Sequence, residues 1–512
     1  MSFLNQLENN LLEDWNESVT ENGAVGYRTT GKPMLDMNFK ISSYRNMSET
    51  EIVDDFKKCF LQDEVLALQF LFFIRDREEG LGERRTFKVI FKALASAYPG
   101  YVARLIPLVG EYGRYDDLLP LLDTREREDT AKYLIDKMIS DFKDMEQNKP
   151  ISLLAKWLPS INTSSSETKR YAKILISYLK KKDPTFSEER YRKALSKMRK
   201  YLDVVEKKMC AKEWEKIKYE TVPSKANLIY RDAFLRHDYE RRTNYLESLK
   251  KGETKINAKK LFPYEIYKSV NSENSCDETL QQLWNNLPQL KNDTESVLVV
   301  ADGSGSMSWE HVGNTNVTAL DVANSLAIYF AERAKGEFKN TYITFSSRPQ
   351  LVHFKEGASL YNKKQTALLH DECSNTDIEK TFDLILDTAI KGNMKQEDMP
   401  STLLILSDME FDGAVCDFGY YSHYTNKEKL FKTIERKFKE AGYKMPKLVF
   451  WNICGRTNTI PIKENDLGVA LVSGFSTTIF DMVLNNETDP LKMLLNKLNT
   501  PRYLKIKEVL ND

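Results

Sequence analysis

The residues best placed to do chemistry lie in "VLVVADGSGSMSW", Val297 to Trp309, where an apolar run ends abruptly in alternating acid, glycine and serine. Asp302, Ser304 and Ser306 stand two apart, and alternate side chains of an extended segment point the same way. Gly303 and Gly305 let the backbone curl without a side-chain clash. Three oxygens can therefore converge on one point. A carboxylate with two hydroxyls is a hard donor set, poorly suited to zinc and well suited to a magnesium or manganese ion that retains some water. Two further oxygens stand in fitting places: Thr376 in "SNTDIEKTF", a loop before a helix, and Asp408 at the end of the strand-like "LLILSDMEFD". Asp377 is a neighbouring acid without an assigned role.

Rival readings of this loop fail on residue type. It has no GK[ST], so it does not cradle phosphate as a P-loop does, and Gly303-Ser304-Gly305 does not spell the nucleophile elbow of a serine hydrolase. His311 reads as a loop residue and supplies no base. Nothing positions a water for attack, so the expectation is a binding protein and not an enzyme.

Such a loop needs a strand behind it. From about 291 the chain alternates "SVLVVAD", "ALDVANSLAIYFAERA", "NTYITFSS", "TDIEKTFDLILDTAIK", "STLLILSDM", "NKEKLFKTIERKFKEAG", "PKLVFWNIC" and "GVALVSGFS". Strand and helix at this spacing predict a doubly wound parallel sheet, whose ligands collect at the carboxyl ends of the strands. From Glu49 to Leu290 the apolar residues instead recur every three or four positions, with Gly80, Gly82 and Pro99-Gly100 as breaks. That half reads as stacked helical hairpins, a HEAT-like repeat without a strict period. The polar "QLKNDTES", Gln289 to Ser296, divides a helical domain at 1–290 from an α/β domain at 291–512.

Composition narrows the setting. The 512 residues carry 75 basic and 75 acidic side chains, so no whole-molecule field draws the chain to nucleic acid or anionic lipid. The six cysteines form no CxxC pair, which fits a reducing, cytoplasmic setting. The start "MSFLNQLENNLLEDWNESV" lacks the pattern of a signal peptide, and no apolar run reaches the roughly 18 residues of a membrane helix, so no membrane partner is expected.

The helical half carries its own phrases: "RDREEGLGERRTF" at Arg75 to Phe87, "EYGRYDDLL" at Glu111 to Leu119, and "LLAKWLPS" at Leu153 to Ser160, then "VPSKANLIYRDAF" and "GETKINAKKLFPYEI". Arg75, Asp76, Glu83 and Arg84 are expected to form interhelical ion pairs around a glycine-containing turn. Asp116 and Asp117 suit helix capping, and no second motif makes them a catalytic pair. "WLPS" reads as a packing contact and helix boundary.

The DxSxS loop with Thr376 and Asp408 resembles the metal-ion-dependent adhesion site of von Willebrand factor A domains. That resemblance implies that Asp302, Ser304 and Ser306 surround Mg2+ (or Mn2+ or Ca2+), with Thr376 and Asp408 completing the shell directly or through water. The phrases of the helical half, with "SNTDIEKTFDLIL" and "VALVSGFS", resemble the domain of unknown function 2828 family of plants, fungi and viruses or phages, over roughly Asn38 to Leu484. The layout is in turn similar to the Ro and TROVE ribonucleoproteins, which join a helical-repeat ring to a von Willebrand A domain and bind RNA. By that analogy RNA is the first-choice partner, and the host cytoplasm or a virion the setting. Basic and aromatic residues interleave in "KRYAKILISYLKKKDPTFSEERYRKALSKMRKYL", where Lys180, Lys181, Arg190, Arg192, Lys193, Lys197, Arg199 and Lys200 are candidate phosphate contacts, with Tyr191 or Tyr201 for stacking. The second reading is metal-dependent protein assembly, or a viral structural role, in which the Asp302 site grips an acidic protein surface and no nucleic acid is involved.

Overall fold

The computed structural model describes residues 15–271, 278–289, 296–345, 348–371, 377–411, 430–457, 459–461, 470–476 and 489–511. The chain forms two compact units, one made of 1–48 with 261–497 and the other of 49–260 with 498–512. These do not follow the linear division at 290/291. Residues 15–48 and the segment from Leu261 pack with the sheet, and the last helix returns to the helical unit.

In the sheet unit, a short antiparallel hairpin joins β1 (Glu17–Val19) to β2 (Val25–Tyr27). The main sheet contains β3 (Val297–Asp302), β4 (Thr341–Phe345), β5 (Gln350–His353), β6 (Thr402–Ser407), β7 (Lys447–Asn452) and β8 (Ala470–Ser473). Its order is β5-β4-β3-β6-β7-β8, all parallel except β5, which runs antiparallel on one edge. Because β4 lies on one side of β3 and β6 on the other, the winding reverses at the carboxyl ends of β3 and β6. Asp302 ends β3 and Asp408 follows β6 directly.

Both faces of this sheet are covered, which is why β3 and β6 are buried at every position and carry unbroken apolar runs, Val297 to Ala301 and Leu403 to Leu406, in place of alternation. One face places Leu298, Val300, Leu403 and Ile405 in a core with Phe382 and Leu386 of the Ile378–Gly392 helix and with Leu35 and Phe39 of the Pro33–Phe39 helix. On the Ala319–Arg333 helix, Phe330 meets Trp451 of β7 at 5.5 Å between ring centroids. That helix starts on a capping box: Thr318 Oγ1 accepts from the Asp321 amide, and Asp321 Oδ2 accepts from the Thr318 amide.

The helical unit is built on the Glu64–Arg75 helix, buried along most of its length and capped by Asp63, whose carboxylate accepts the Leu66 N–H. Phe72 meets Phe87, Phe91 and Tyr112 edge-on at 5.6, 6.3 and 5.1 Å. Arg75, Asp76 and Arg84 form ion pairs, but with partners distant in sequence and not with one another. Arg75 donates to Asp117 at 2.6 Å and Arg84 to Asp116 and Asp117. Asp76 accepts from Arg502 and from the Tyr503 hydroxyl of the Pro501–Asn511 helix. "RDREEGLGERR" and "EYGRYDD" are thus two sides of one network. Asp117 also accepts the Arg114 N–H, so it caps a short 3-10 turn, Tyr115–Asp117, while serving the arginines. Gly113 is required beside it, since a Cβ there would lie 2.7 Å from Asp117 Oδ2 and 2.8 Å from Arg75 Nε.

Candidate metal centre and basic surfaces

The strand ends bring four of the five predicted metal-site residues together; Thr376 lies outside the described residues. Ser304 Oγ is 3.0 Å from Ser306 Oγ, and Ser306 Oγ donates to Asp408 Oδ2 at 2.9 Å. Asp302 lies beneath them, accepting from the Ser304 N–H at 2.9 Å and from Ser407 Oγ at 2.6 Å. Both carboxylates are fully buried. Burial, reinforced by the charge of Asp408, pushes the Asp302 carboxyl above the ordinary carboxylate range, and burial does the same to Asp408. Two adjacent buried acids flanked by hydroxyls are costly as anions unless a cation joins them. Among the described residues, Arg456 is the cation paired with this cluster, 3.7 Å from Asp408 Oδ2. The donor set therefore fits a hard divalent ion held by Asp302, Ser304, Ser306 and Asp408. Among the described residues no group of three or more His, Cys, Asp or Glu is placed to hold a metal ion, so this cluster depends on its hydroxyls as well as its two carboxylates.

The segment after β6 is held from two sides. The Glu410 carboxylate, itself buried, accepts the backbone N–H groups of Arg456, Thr457 and Glu21. Thr20 donates its hydroxyl to the Phe411 carbonyl at 2.6 Å. Met409 accordingly adopts a positive φ of 66° between Asp408 and Glu410. Asp377 is the N-cap of its helix, accepting the Lys380 N–H, and His311 is an exposed loop residue as expected. Glu410, Arg456 and Glu21 were not singled out from sequence, because nothing local marks residues that meet only through the sheet.

The eight predicted RNA contacts do not line one groove. Lys180, Arg192 and Lys200 are exposed. Lys181 pairs with Glu128, Arg190 with Asp183, Lys193 with Glu189 and Lys197 with Glu146, at 2.7 to 3.7 Å. Arg199 is structural: it donates to the carbonyls of Ala155 and Leu158 and to Ser160 Oγ, tying "LLAKWLPS" to the Glu188–Tyr201 helix. Tyr191 is fully buried with its hydroxyl on the Pro159 carbonyl, so it cannot stack on a base; Tyr201 is exposed. Arg199→Ala is expected to cost roughly 1–3 kcal/mol, because two buried carbonyls lose their donor. A lower melting temperature with unchanged RNA affinity checks it.

The sequence reading missed a groove of about 630 Å³ between the Arg127–Glu146 and Ser166–Lys182 helices. It is lined by Arg127, Lys169, Arg170, Lys173 and Lys181 against one acid, Glu128. Lys169, Lys173 and Lys181 fall on a four-residue stripe of one helix face, with about 6 Å of rise per step. Tyr178 lies in the same groove.

Fold and site together define a protein that joins an α-helical unit to a doubly wound α/β unit with a carboxylate–hydroxyl cluster at its switch point. Residues 128–298 match the model "Domain of unknown function (DUF2828)". Residues 296–498 match a separate model, "Domain of unknown function (DUF7788)", so the resemblance expected over Asn38 to Leu484 divides between two models. The chain is 29% identical over 527 residues to the uncharacterized protein L728 of Acanthamoeba polyphaga mimivirus, covering 94% of this chain and 87% of that protein. A crystal structure of the Deinococcus radiodurans Ro (RSR) protein aligns with a TM-score of 0.43 and 13% identity, over 84% of this chain and 92% of that one. No helix among the described residues is long and apolar enough to cross a membrane.

Proposed function

We propose that the sheet unit is a divalent-cation-dependent binding module, with Mg2+ or Mn2+ as the ion, and not an enzyme. The observation that carries this is the burial of Asp302 and Asp408 together at the switch point, with Ser306 bonded to Asp408, Ser407 bonded to Asp302, and no cation paired with Asp302 among the described residues. Asp302, Ser304, Ser306 and Asp408 would hold the ion, and Thr376 is the further oxygen assigned to it by resemblance. The ion would supply an open coordination position for an anionic group of a partner. Among the described residues, none of the side chains hydrogen-bonded at the site is a His, Lys or Tyr that could serve as a general base. Calorimetric titration with Mn2+ tests this: one saturable site per chain is expected, and none would refute it.

A second activity, binding of single-stranded RNA by the helical unit, rests on the Lys169–Lys173–Lys181 groove. Lys169 and Lys173 supply the positive charge that favours a phosphate backbone there, beside Arg170 paired with Asp123 and Lys181 paired with Glu128. Reversing two charges, Lys169→Glu with Lys173→Glu, should weaken binding to poly(U) by about 10-fold or more at moderate salt and flatten the salt dependence. Unchanged affinity and slope in a filter-binding series would remove RNA from this surface.

A further inference from the structure

The oxygen cluster depends on the path the chain takes after β6. On the metal reading, we infer that Glu410 is a positioning residue for the ion and that the turn at 20–24 is a latch upon it, so that latch and ion stabilise each other. Met409 is the weak point of that path. It stands at a φ of 66° between Asp408 and Glu410, in the left-handed region that a residue with a side chain enters only when its surroundings force it there. In this conformation Asp408 is already aimed. Its Oδ1 accepts the Glu410 N–H at 3.2 Å, which leaves Oδ2 to Ser306 at 2.9 Å. The Ser407 hydroxyl accepts the Met409 N–H at 2.9 Å and donates to Asp302, so a relaxation of Met409 would disturb both carboxylates.

The bonds that hold Met409 come from distant parts of the chain. The Glu410 carboxylate, 1% exposed, gathers the backbone N–H groups of Glu21, Arg456 and Thr457 at 2.8 to 3.0 Å. The latch adds bonds of its own. Asn22 Nδ2 donates to the Glu410 carbonyl at 2.7 Å, and Thr20 Oγ1 and the Ala24 N–H donate to the Phe411 carbonyl at 2.6 and 3.4 Å. Gly23 closes this turn at a φ of 94°, where a side chain would be strained. Once detached, the latch would leave the buried Glu410 short of donors and free Met409 to leave the left-handed region. A cation among Asp302, Ser304, Ser306 and Asp408 needs Asp408 as it is now aimed. The ion therefore favours the latched chain, and by reciprocity the latch favours the ion by the same factor.

Mn2+ is the probe, added to the full-length protein. In wild type, hydrogen exchange at the Glu21 and Ala24 amides should slow about 10-fold between EDTA and saturating Mn2+. Thr20→Val with Asn22→Ala removes two latch bonds without touching the cluster, and should weaken Mn2+ binding about fivefold or more while the circular dichroism spectrum stays that of wild type. Glu410→Gln, which turns an amide NH2 toward N–H donors, should weaken it about 10-fold or more. A latch with a structural role alone would lower the melting temperature of these variants, leave their Mn2+ affinity within about twofold of wild type, and exchange at the same rate with or without Mn2+. That result would overturn the inference. A wild-type chain that takes up no Mn2+ in calorimetry would refute the metal reading itself, and the coupling with it, before any variant is compared.

Discussion

Asp302→Ala is expected to lower Mn2+ affinity at least about 100-fold while the helical unit keeps its fold. Even partners one shell out from a metal cost roughly 10- to 100-fold when removed, and Asp302 is the carboxylate at the base of the cluster. The variant separates binding from stability. Without metal, Asp302 and Asp408 are adjacent buried acids, and removing one relieves like-charge repulsion. The Ser304 N–H and the Ser407 hydroxyl lose their acceptor at the same time, so the relieved repulsion and the lost hydrogen bonds offset and the metal-free melting temperatures should differ little. Saturating Mn2+ should raise the melting temperature of wild type alone, because a ligand that binds only the folded state stabilises it by mass action. Calorimetry with a parallel thermal melt reads both. A variant that keeps wild-type Mn2+ affinity would show that Asp302 is not a ligand.

The second large effect lies in the helical unit. Asp117→Ala should destabilise the protein by roughly 3–5 kcal/mol, the usual cost of stripping one partner from a buried ion pair. Arg75 is nearly as buried as Asp117, so the guanidinium left behind cannot reach water, and the Arg114 N–H loses its acceptor too. Exposed Arg84 contributes little of this. Burial alone would raise the Asp117 carboxyl, but Arg75 and Arg84 outweigh it and hold it below the usual carboxylate range. A depressed carboxyl contributes stability above its unfolded pKa of about 3.9, and that contribution disappears as pH falls through the lower folded value. The gap between variant and wild type should accordingly narrow in acid. Urea unfolding followed by helical circular dichroism, at neutral pH and near pH 3, measures both; a neutral-pH difference under about 1 kcal/mol would contradict the network's role. Adding Arg75→Met should recover part of the loss, since it removes the stranded charge.

Much of this architecture was legible in the sequence. Strands β3, β6 and β7 stand out because a sheet covered on both faces demands unbroken apolar runs, and the switch point then locates Asp302 and Asp408 without further information. What escaped was set by contacts between distant segments. The four-residue edge strand β5 and the hairpin of β1 and β2 are too short to carry a periodic signal. The assignment of the Pro501–Asn511 helix to the helical unit depends on Arg502 and Tyr503 meeting Asp76, more than 400 positions away. Composition marked the basic stretch between Lys169 and Leu202, but not which of its cations are committed to acids and carbonyls. Arg199 reads like its neighbours in sequence, yet the fold spends it on packing, whereas Lys169 and Lys173 line the groove. Arg456 had no sequence signal at all, since its place beside Asp408 follows from the neighbouring positions of β6 and β7 and from the Glu410 clamp.

The central claim is that Asp302, Ser304, Ser306 and Asp408 bind one hard divalent ion. Crystals grown with Mn2+ and measured at the manganese absorption edge test it most directly. The account predicts a single anomalous peak among those four side chains, with oxygens at about 2.0–2.3 Å. An empty strand-end loop in crystals that hold Mn2+ elsewhere, or a saturating solution titration with no peak at this position, would contradict it.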